Sequence, residues 1–452
     1  MTTPLLTVMA QAPAPYRVDE HRRSSSSCRS RTLGALAVLA GLVTLLLPLP
    51  AFSQIKAPAP HSGASPATSA DQAMVRSTEA RTQAFLEDLR SLVAIDSGSG
   101  QQDGLDRVAT LLANRLRRLG AEVERLPAKP SVGDIVVGRI RGTGSRRILL
   151  MVHYDTVFPE GEASRRPFRL EGNRAYGPGV VDAKGGAVII LQALELAAER
   201  NVRDFATITV LFNPDEEIGS RGSADLIARL ARQQDVVLSF EPSPMDAVIE
   251  ATKGIAYLTL AVQGRAAHAG AAPESGRNAA VELAHQILAL QTLGDSAKGT
   301  TVHWTRIRAG ERPNVIPDQA SATADLRFSD PAEPARVQAE INRIIQTPLV
   351  PDTTATLAVQ LQRPPFPRNP ATEQLVRQAQ TIAGELDRPL EAVAMGFGTD
   401  AGHAFQPGNP RPAVLEGLGV IGGGLHSPKE WADLESLPAR LYLVVRLLET
   451  LP

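Results

Sequence analysis

The chain holds a single cysteine, Cys28, in 452 residues. A disulfide within the chain is therefore excluded, and so is a metal site built on clustered thiolates. Any bound metal must be held by His, Asp and Glu. An excess of one charge is missing too: 47 basic residues meet 48 acidic ones, for a net charge of -1. That balance gives no footprint for nucleic acid or another polyanion. Glycine (36) and proline (34) are too few and too dispersed for a fibrous or wholly disordered chain. No internal repeat stands out. What is present is a chain 43% apolar, long enough for two domains and a sizeable core.

The N-terminus has its own grammar. Arg22, Arg23, Arg29 and Arg31 precede an apolar run from Leu33 to Leu49, and Ala51, Phe52 and Ser53 follow it. Basic, apolar, small is the order of a secretory leader, placed at residues 1–53. The rival reading is a membrane anchor, which Pro48 and Pro50 disfavour by breaking a run barely long enough to span. Cleavage would leave a periplasmic or secreted chain with no cysteine and no stable membrane span. Residues 54–77 are rich in Ala, Pro, Ser and Thr and read as a disordered linker.

From residue 78 to 253 helical and strand patterns alternate. Helices are expected at Thr78–Val93, Gly104–Leu119 and Gly185–Glu199. Strands are expected at Gly133–Arg139, Arg147–Val152, Thr207–Phe212 and Val236–Phe240. This is an α/β pattern with a mixed, mostly parallel sheet flanked by helices. The pattern changes over residues 254–366, with strands at Ile255–Gln263, Thr300–Arg308, Ala320–Phe328 and Thr356–Leu361. Helices are expected there at Ala279–Gln291 and Pro334–Ile345. Those elements make an inserted α+β sandwich. The α/β pattern resumes over residues 367–452 with a helix at Thr372–Leu386 and an apolar stretch at Ala413–Ile421.

The chemistry follows the buried strands. Arg147–Val152 runs into His153 and Asp155, Thr207–Phe212 into Glu216 and Glu217, and Val236–Phe240 into Glu241. Ala413–Ile421 runs into three glycines and then His426, and Asp182 follows a Gly-Pro-Gly turn. Each residue alone has an ordinary explanation, as a structural histidine, a solvated turn or a helix cap. Together they converge on the rim beyond the strand ends, where ligands bind in open α/β sheets. Crowded carboxylates are costly unless a cation neutralises them. Two histidines, two glutamates and one shared aspartate would hold two divalent ions, each keeping a position open for water.

The stretches HYDTVFPEG at 153, YGPGVVDAKGG at 176, NPDEEIGSRGS at 213, SFEPS at 239, GRAAHAG at 264, RPNVIPDQASATADLR at 312 and GGGLHSP at 422 run in order from about residue 80 to the end. With them the chain resembles the secreted bacterial glutamate carboxypeptidases. These lie within the zinc exopeptidase family that also holds aminoacylases, acetylornithine deacetylases and succinyl-diaminopimelate desuccinylases. The resemblance implies a phosphorylase/hydrolase-like zinc exopeptidase fold whose insert is a dimerisation domain. It implies two Zn2+ per chain: His153 and Glu241 on one, Glu217 and His426 on the other, with Asp182 bridging. It implies Glu216 as general base, Asp155 as the group orienting His153, and a peptide after Asp182 that is often cis.

His268 would reach the partner's site in a homodimer and stabilise the oxyanion. Asn314 and Arg327 would bind the substrate's terminal carboxylate, while Gly396, Gly398 and Thr399 would line the substrate cleft. The activity implied is release of a C-terminal amino acid, glutamate foremost, from a small peptide or N-acyl amino acid. The alternatives are an N-acyl-amino-acid deacylase or desuccinylase, or a non-catalytic periplasmic binding protein. The sequence departs from the pattern in two places. A basic residue for the substrate between Glu241 and the insert could only be Lys253, and the loop GFGTDAGHAF matches weakly.

Overall fold

Every strand of the larger sheet carries buried side chains except its outermost one, and this decides how the layers stack. The computed structural model describes residues 69–451 apart from Pro244 and Pro410. Cys28 and the expected leader lie outside the described residues, as does most of the expected linker.

The N-terminal helices are α1 (Gln72–Ala80), α2 (Thr82–Val93) and α3 (Gln102–Arg118). Order begins sooner than the composition of the linker suggests. The Asp71 side chain caps the amides of Ala73 and Met74, and Met74 and Thr78 are buried. Strands β1 (Glu122–Pro127), β2 (Asp134–Arg141), β3 (Arg147–His153), β4 (Thr207–Asn213) and β5 (Val236–Ser239) follow. With the later β10 (Ala413–Leu415) they form one sheet in the order β1-β2-β4-β3-β5-β10. The pairs β3–β4, β3–β5 and β5–β10 are parallel, while β1–β2 and β2–β4 are antiparallel. The sheet is thus mixed and mostly parallel. The sequence pattern gives no sign of β1, a half-exposed edge strand with no apolar run to mark it.

Alternate side chains of β3 enter two cores. Ile148, Leu150 and Val152 join the layer of α3, α4 (Lys184–Glu199) and α9 (Leu437–Thr450). Leu149 and Met151 face α5 (Ala224–Ala231) on the other side. A strand buried on both faces reads as a continuous apolar run, as this one does. Each fully buried aliphatic side chain contributes about 1.5–3 kcal/mol.

The second sheet is antiparallel. It holds β6 (Gly254–Gln263), β7 (Thr301–Ala309), β8 (Gln319–Phe328) and β9 (Thr354–Arg363) in the order β7-β8-β6-β9. Only one face has a core among the described residues. Ala256, Leu258, Leu260 and Val262 of β6 meet Ala322, Ala324 and Leu326 of β8 beneath α6 (Ala279–Ala289) and α7 (Glu333–Ile344). The chain enters and leaves this sheet side by side: Ile255 pairs with Arg363, and Thr252 with Phe366.

Helix α8 (Pro370–Glu385) leads back to the first sheet. The apolar stretch beginning at Ala413 is a strand only to Leu415. Gly417 then takes φ 79°, ending the strand, and Gly422–Gly423 pairs in a separate four-stranded sheet with Trp431–Asp433. His426 therefore arrives on a loop of its own and not at the end of a strand of the main sheet.

Candidate metal centre

Strand register brings the first groups together. In the β3–β4 pairing His153 lies level with Asn213, so the residues after both strands emerge at the same height. Pro214, Asp215 and a 3₁₀ turn at Glu216–Ile218 follow β4. Glu241 sits two residues beyond β5. Asp182 sits two residues before α4, whose start packs tightly on the residues after β5. A Cβ on Gly186 would lie 2.1 Å from the Phe240 carbonyl oxygen, so only glycine lets this turn approach. The Asp182–Ala183 peptide is cis. His426 is held at φ 58°, a left-handed conformation uncommon outside glycine and often found at functional sites.

The expected ligands fall into two groups sharing Asp182. His153 Nε2 stands 3.1 Å from Asp182 Oδ1 and 3.6 Å from Glu241 Oε2. His426 Nε2 stands 3.2 Å from both Asp182 Oδ2 and Glu217 Oε2. Donors about 2 Å from one tetrahedral ion stand roughly 3.3 Å apart. Charge-assisted N–H···O contacts are shorter, about 2.7–2.9 Å. The spacing is that of ligands round one ion, and it also lets the imidazoles hydrogen-bond these carboxylates directly. His153, Asp182 and Glu217 also offer ligand atoms all within 4.8 Å of one another.

Electrostatics point the same way. Burial pushes the carboxyls of Glu217 and Glu241 above their usual range, and Glu216 well above it. Burial opposes protonation of His153, but Glu241, Asp155 and Asp182 overcome it and hold the imidazole well above its ordinary range. Hydrogen bonds to Asp182 and Glu217 raise His426 to about 10. The carboxylates draw positive charge to the histidines, and a divalent ion would supply it in exchange for protons. The donor set, all imidazole and carboxylate, suits zinc and its neighbours.

Asp155 is wholly buried and does two things. Its Oδ1 stands 3.2 Å from His153 Nδ1, and its carboxylate accepts the amides of Glu216 and Glu217 at 3.1 and 3.2 Å. It thus orients a ligand and pins the turn carrying the other two groups.

Other buried groups are not singled out by the sequence pattern. Arg363, the last residue of β9, pairs with Glu216 Oε1 at 2.8 Å and with Asp400 Oδ1 at 3.0 Å. Asp400 also accepts from Asn213 and Ser220. Glu416 accepts the Glu241 amide at 3.2 Å and the Thr399 hydroxyl at 2.9 Å, and burial raises it to about 8. Glu430 accepts the amides of Gly179, Val181 and Asp182, and burial raises it to about 7. At Arg363 the one available signal was an arginine closing a strand just before the proline-rich exit from the insert.

Of the remaining candidates only Thr399 joins this network, through Glu416. His268 and Asn314 come together on a short ribbon, where Ala267–His268 pairs with Val315–Ile316. Both are exposed, and His268 Nδ1 accepts the amides of Gly270 and Ala271. Arg327 grips Asp325 of its own strand through two hydrogen bonds of 2.6 and 2.9 Å and is 30% exposed. The anion a guanidinium needs is therefore already present there. Lys253 donates to the Gly299 carbonyl and the Ser329 hydroxyl, and with Arg368 and Gly396 it lines a cavity of about 470 Å³. Gly398 packs against the Lys253 carbonyl and Thr399 is buried on Glu416.

Comparison with known proteins matches residues 149–450 to the family described as peptidase family M20/M25/M40. Carboxypeptidase G2 of Pseudomonas sp. (strain RS-16) is 38% identical over 403 residues, covering 88% of this chain and 96% of that protein. Acetylornithine deacetylase of Proteus mirabilis (strain HI4320) is 27% identical over 399 residues, covering 81% and 96%. Among solved structures, aminopeptidase PepT from Bacillus cereus ATCC 10987 superposes with a TM-score of 0.68 at 21% identity, covering 81% of this chain and 98% of that one.

Proposed function

The chain belongs to peptidase family M20/M25/M40 and is a metallopeptidase-class hydrolase; on that premise we propose that it is a dizinc exopeptidase releasing a C-terminal amino acid, glutamate foremost. The observation carrying this reading is the division of Asp182, one oxygen towards His153 and the other towards His426. That arrangement makes two ligand triads from five residues.

A bound ion pair would supply a water acidic enough to attack near neutral pH and a Lewis acid for the carbonyl. Glu216 is placed to take a proton from the attacking water and would pass it to the departing amine. Arg363 fixes one Glu216 oxygen, leaving the other for the proton. Asp155 keeps His153 and the Glu216–Glu217 turn in register. His268, exposed on its ribbon, completes the oxyanion site of a second copy in a homodimer. Asn314 beside it and Arg327 take the substrate's terminal carboxylate, with Arg327 exchanging Asp325 for it. Gly396, Gly398 and Thr399 line the cleft. The basic-apolar-small N-terminus supports export to the periplasm or beyond.

The relative that is an acetylornithine deacetylase favours deacylation of N-acyl amino acids as the second reading. The test is a substrate panel of acyl-glutamates, acyl-ornithine, succinyl-diaminopimelate and dipeptides, run with added zinc and with chelator. Two zinc ions per chain and fastest turnover of C-terminal glutamate substrates are expected. Fastest turnover of acyl-ornithine would establish the second reading. Failure to bind divalent metal after reconstitution would sink both.

A further inference from the structure

Glu430 is 1% exposed, yet its carboxylate makes no hydrogen bond to a side chain among the described residues. Oε2 accepts the Gly179 amide at 2.9 Å, and Oε1 accepts those of Val181 at 2.9 Å and Asp182 at 3.1 Å. Only a carboxylate offers two acceptor oxygens and no donor, which three converging N–H groups require. The turn it binds presents Asp182. The loop it closes presents His426: Ser427 N donates to the Gly424 carbonyl and Glu430 N to the Ser427 carbonyl. A Cβ on Gly424 would meet the Lys429 carbonyl at 2.5 Å, so the two ends of this loop touch. His426 stands at its apex, 3.2 Å from Asp182 Oδ2. Asp182 and His426 are therefore tied together at their backbones by Glu430, independently of any ion between their side chains.

We propose that Glu430 is a positioning residue for the metal held by Asp182, Glu217 and His426, setting the separation of Asp182 and His426 before the ion arrives. The inference rests on the two-metal reading. A site spaced in advance spends less binding energy on ordering its ligands, so its affinity is higher. Glu430 touches neither substrate nor reacting atoms, and its effect reaches the metal through the amide of Asp182 and the loop of His426.

The test strips the full protein of metal and titrates zinc against a competing chelator for the parent, Glu430→Gln and Glu430→Ala. Circular dichroism establishes that each is folded at the assay temperature. In Glu430→Ala one zinc-binding step should weaken about 10–100-fold. Glu430→Gln keeps one acceptor oxygen for Val181 and Asp182 but turns an N–H towards Gly179, so its affinity should lie between the other two. Should Glu430→Ala not fold, Glu430→Asp takes its place: it keeps the charge but is too short to reach the three amides, so a weakened step carries the inference and an unchanged one overturns it. Equal loss in both variants would overturn positioning in favour of charge alone. Unchanged affinity in both, with two ions still bound, would overturn the inference and leave the two-metal reading standing. A parent protein that binds fewer than two ions would instead remove the reading on which it rests.

Discussion

Glu216 and Glu217 are neighbours in sequence with different surroundings. They open a 3₁₀ turn, in which successive side chains point about 120° apart. Glu217 faces His426 and Glu216 faces Arg363. Replacing Glu216 with Gln preserves shape and removes the base. We expect turnover to fall by about two orders of magnitude or more with both metals retained. Near-normal rates by steady-state kinetics would place the base elsewhere. His153, Glu217 and Glu241 were legible because polar residues at or soon after the ends of buried strands stand out against them, whereas Asp182 and His426 were legible through the glycine-rich turns beside them. Arg363, Asp400, Glu416 and Glu430 were not, because their partners are backbone amides or residues far along the chain. Glu416 and the Glu241 amide it holds are separated by 175 positions. Three buried carboxylates accept backbone amides at the site in the same way. Asp155 clamps the amides of Glu216 and Glu217, Glu416 that of Glu241, and Glu430 that of Asp182.

At the scale of elements, β3 and β4 were readable because burial on both faces writes an uninterrupted apolar run. The edge strand β1 and the two-residue ribbon carrying His268 were not, since an exposed pairing needs no hydrophobic pattern. That ribbon holds His268 and Asn314 in one piece, as a unit that reaches a site needs to be. If it serves the site of a second copy, an inactive His268→Ala chain mixed with an inactive Glu216→Gln chain should regain activity, since each mixed dimer contains one intact site. Chromatographic mass and activity after mixing read this directly. A monomer with full activity, or mixtures that stay dead while exchanging subunits, would count against it.

For the whole molecule, bound ions would lie where β3, β4, β5 and the loops of Asp182 and His426 meet, and would join segments from residue 153 to residue 426. An ion present at a thousandfold its dissociation constant stabilises the fold by about 4 kcal/mol. A chelator should accordingly lower the melting temperature by several degrees in calorimetry. The sign with pH follows from His426, raised to about 10 when it faces only carboxylates. Protons compete with the ion for that imidazole, so the metal-dependent shift should grow as pH rises and shrink as it falls. A melting temperature indifferent to chelator at neutral pH would contradict this. The side-by-side entry and exit of the second sheet, Thr252 against Phe366, has a different kind of consequence. All five expected ligands and Glu216 lie outside the segment between those residues. Ends held one strand apart could be rejoined by a few residues, which would let the smaller sheet behave as a cassette. A single insertion of genetic material at that spot would be enough to add it to an older metal-binding core, and a deletion with the same boundaries would take away Arg363 and the His268 ribbon while sparing the ligands.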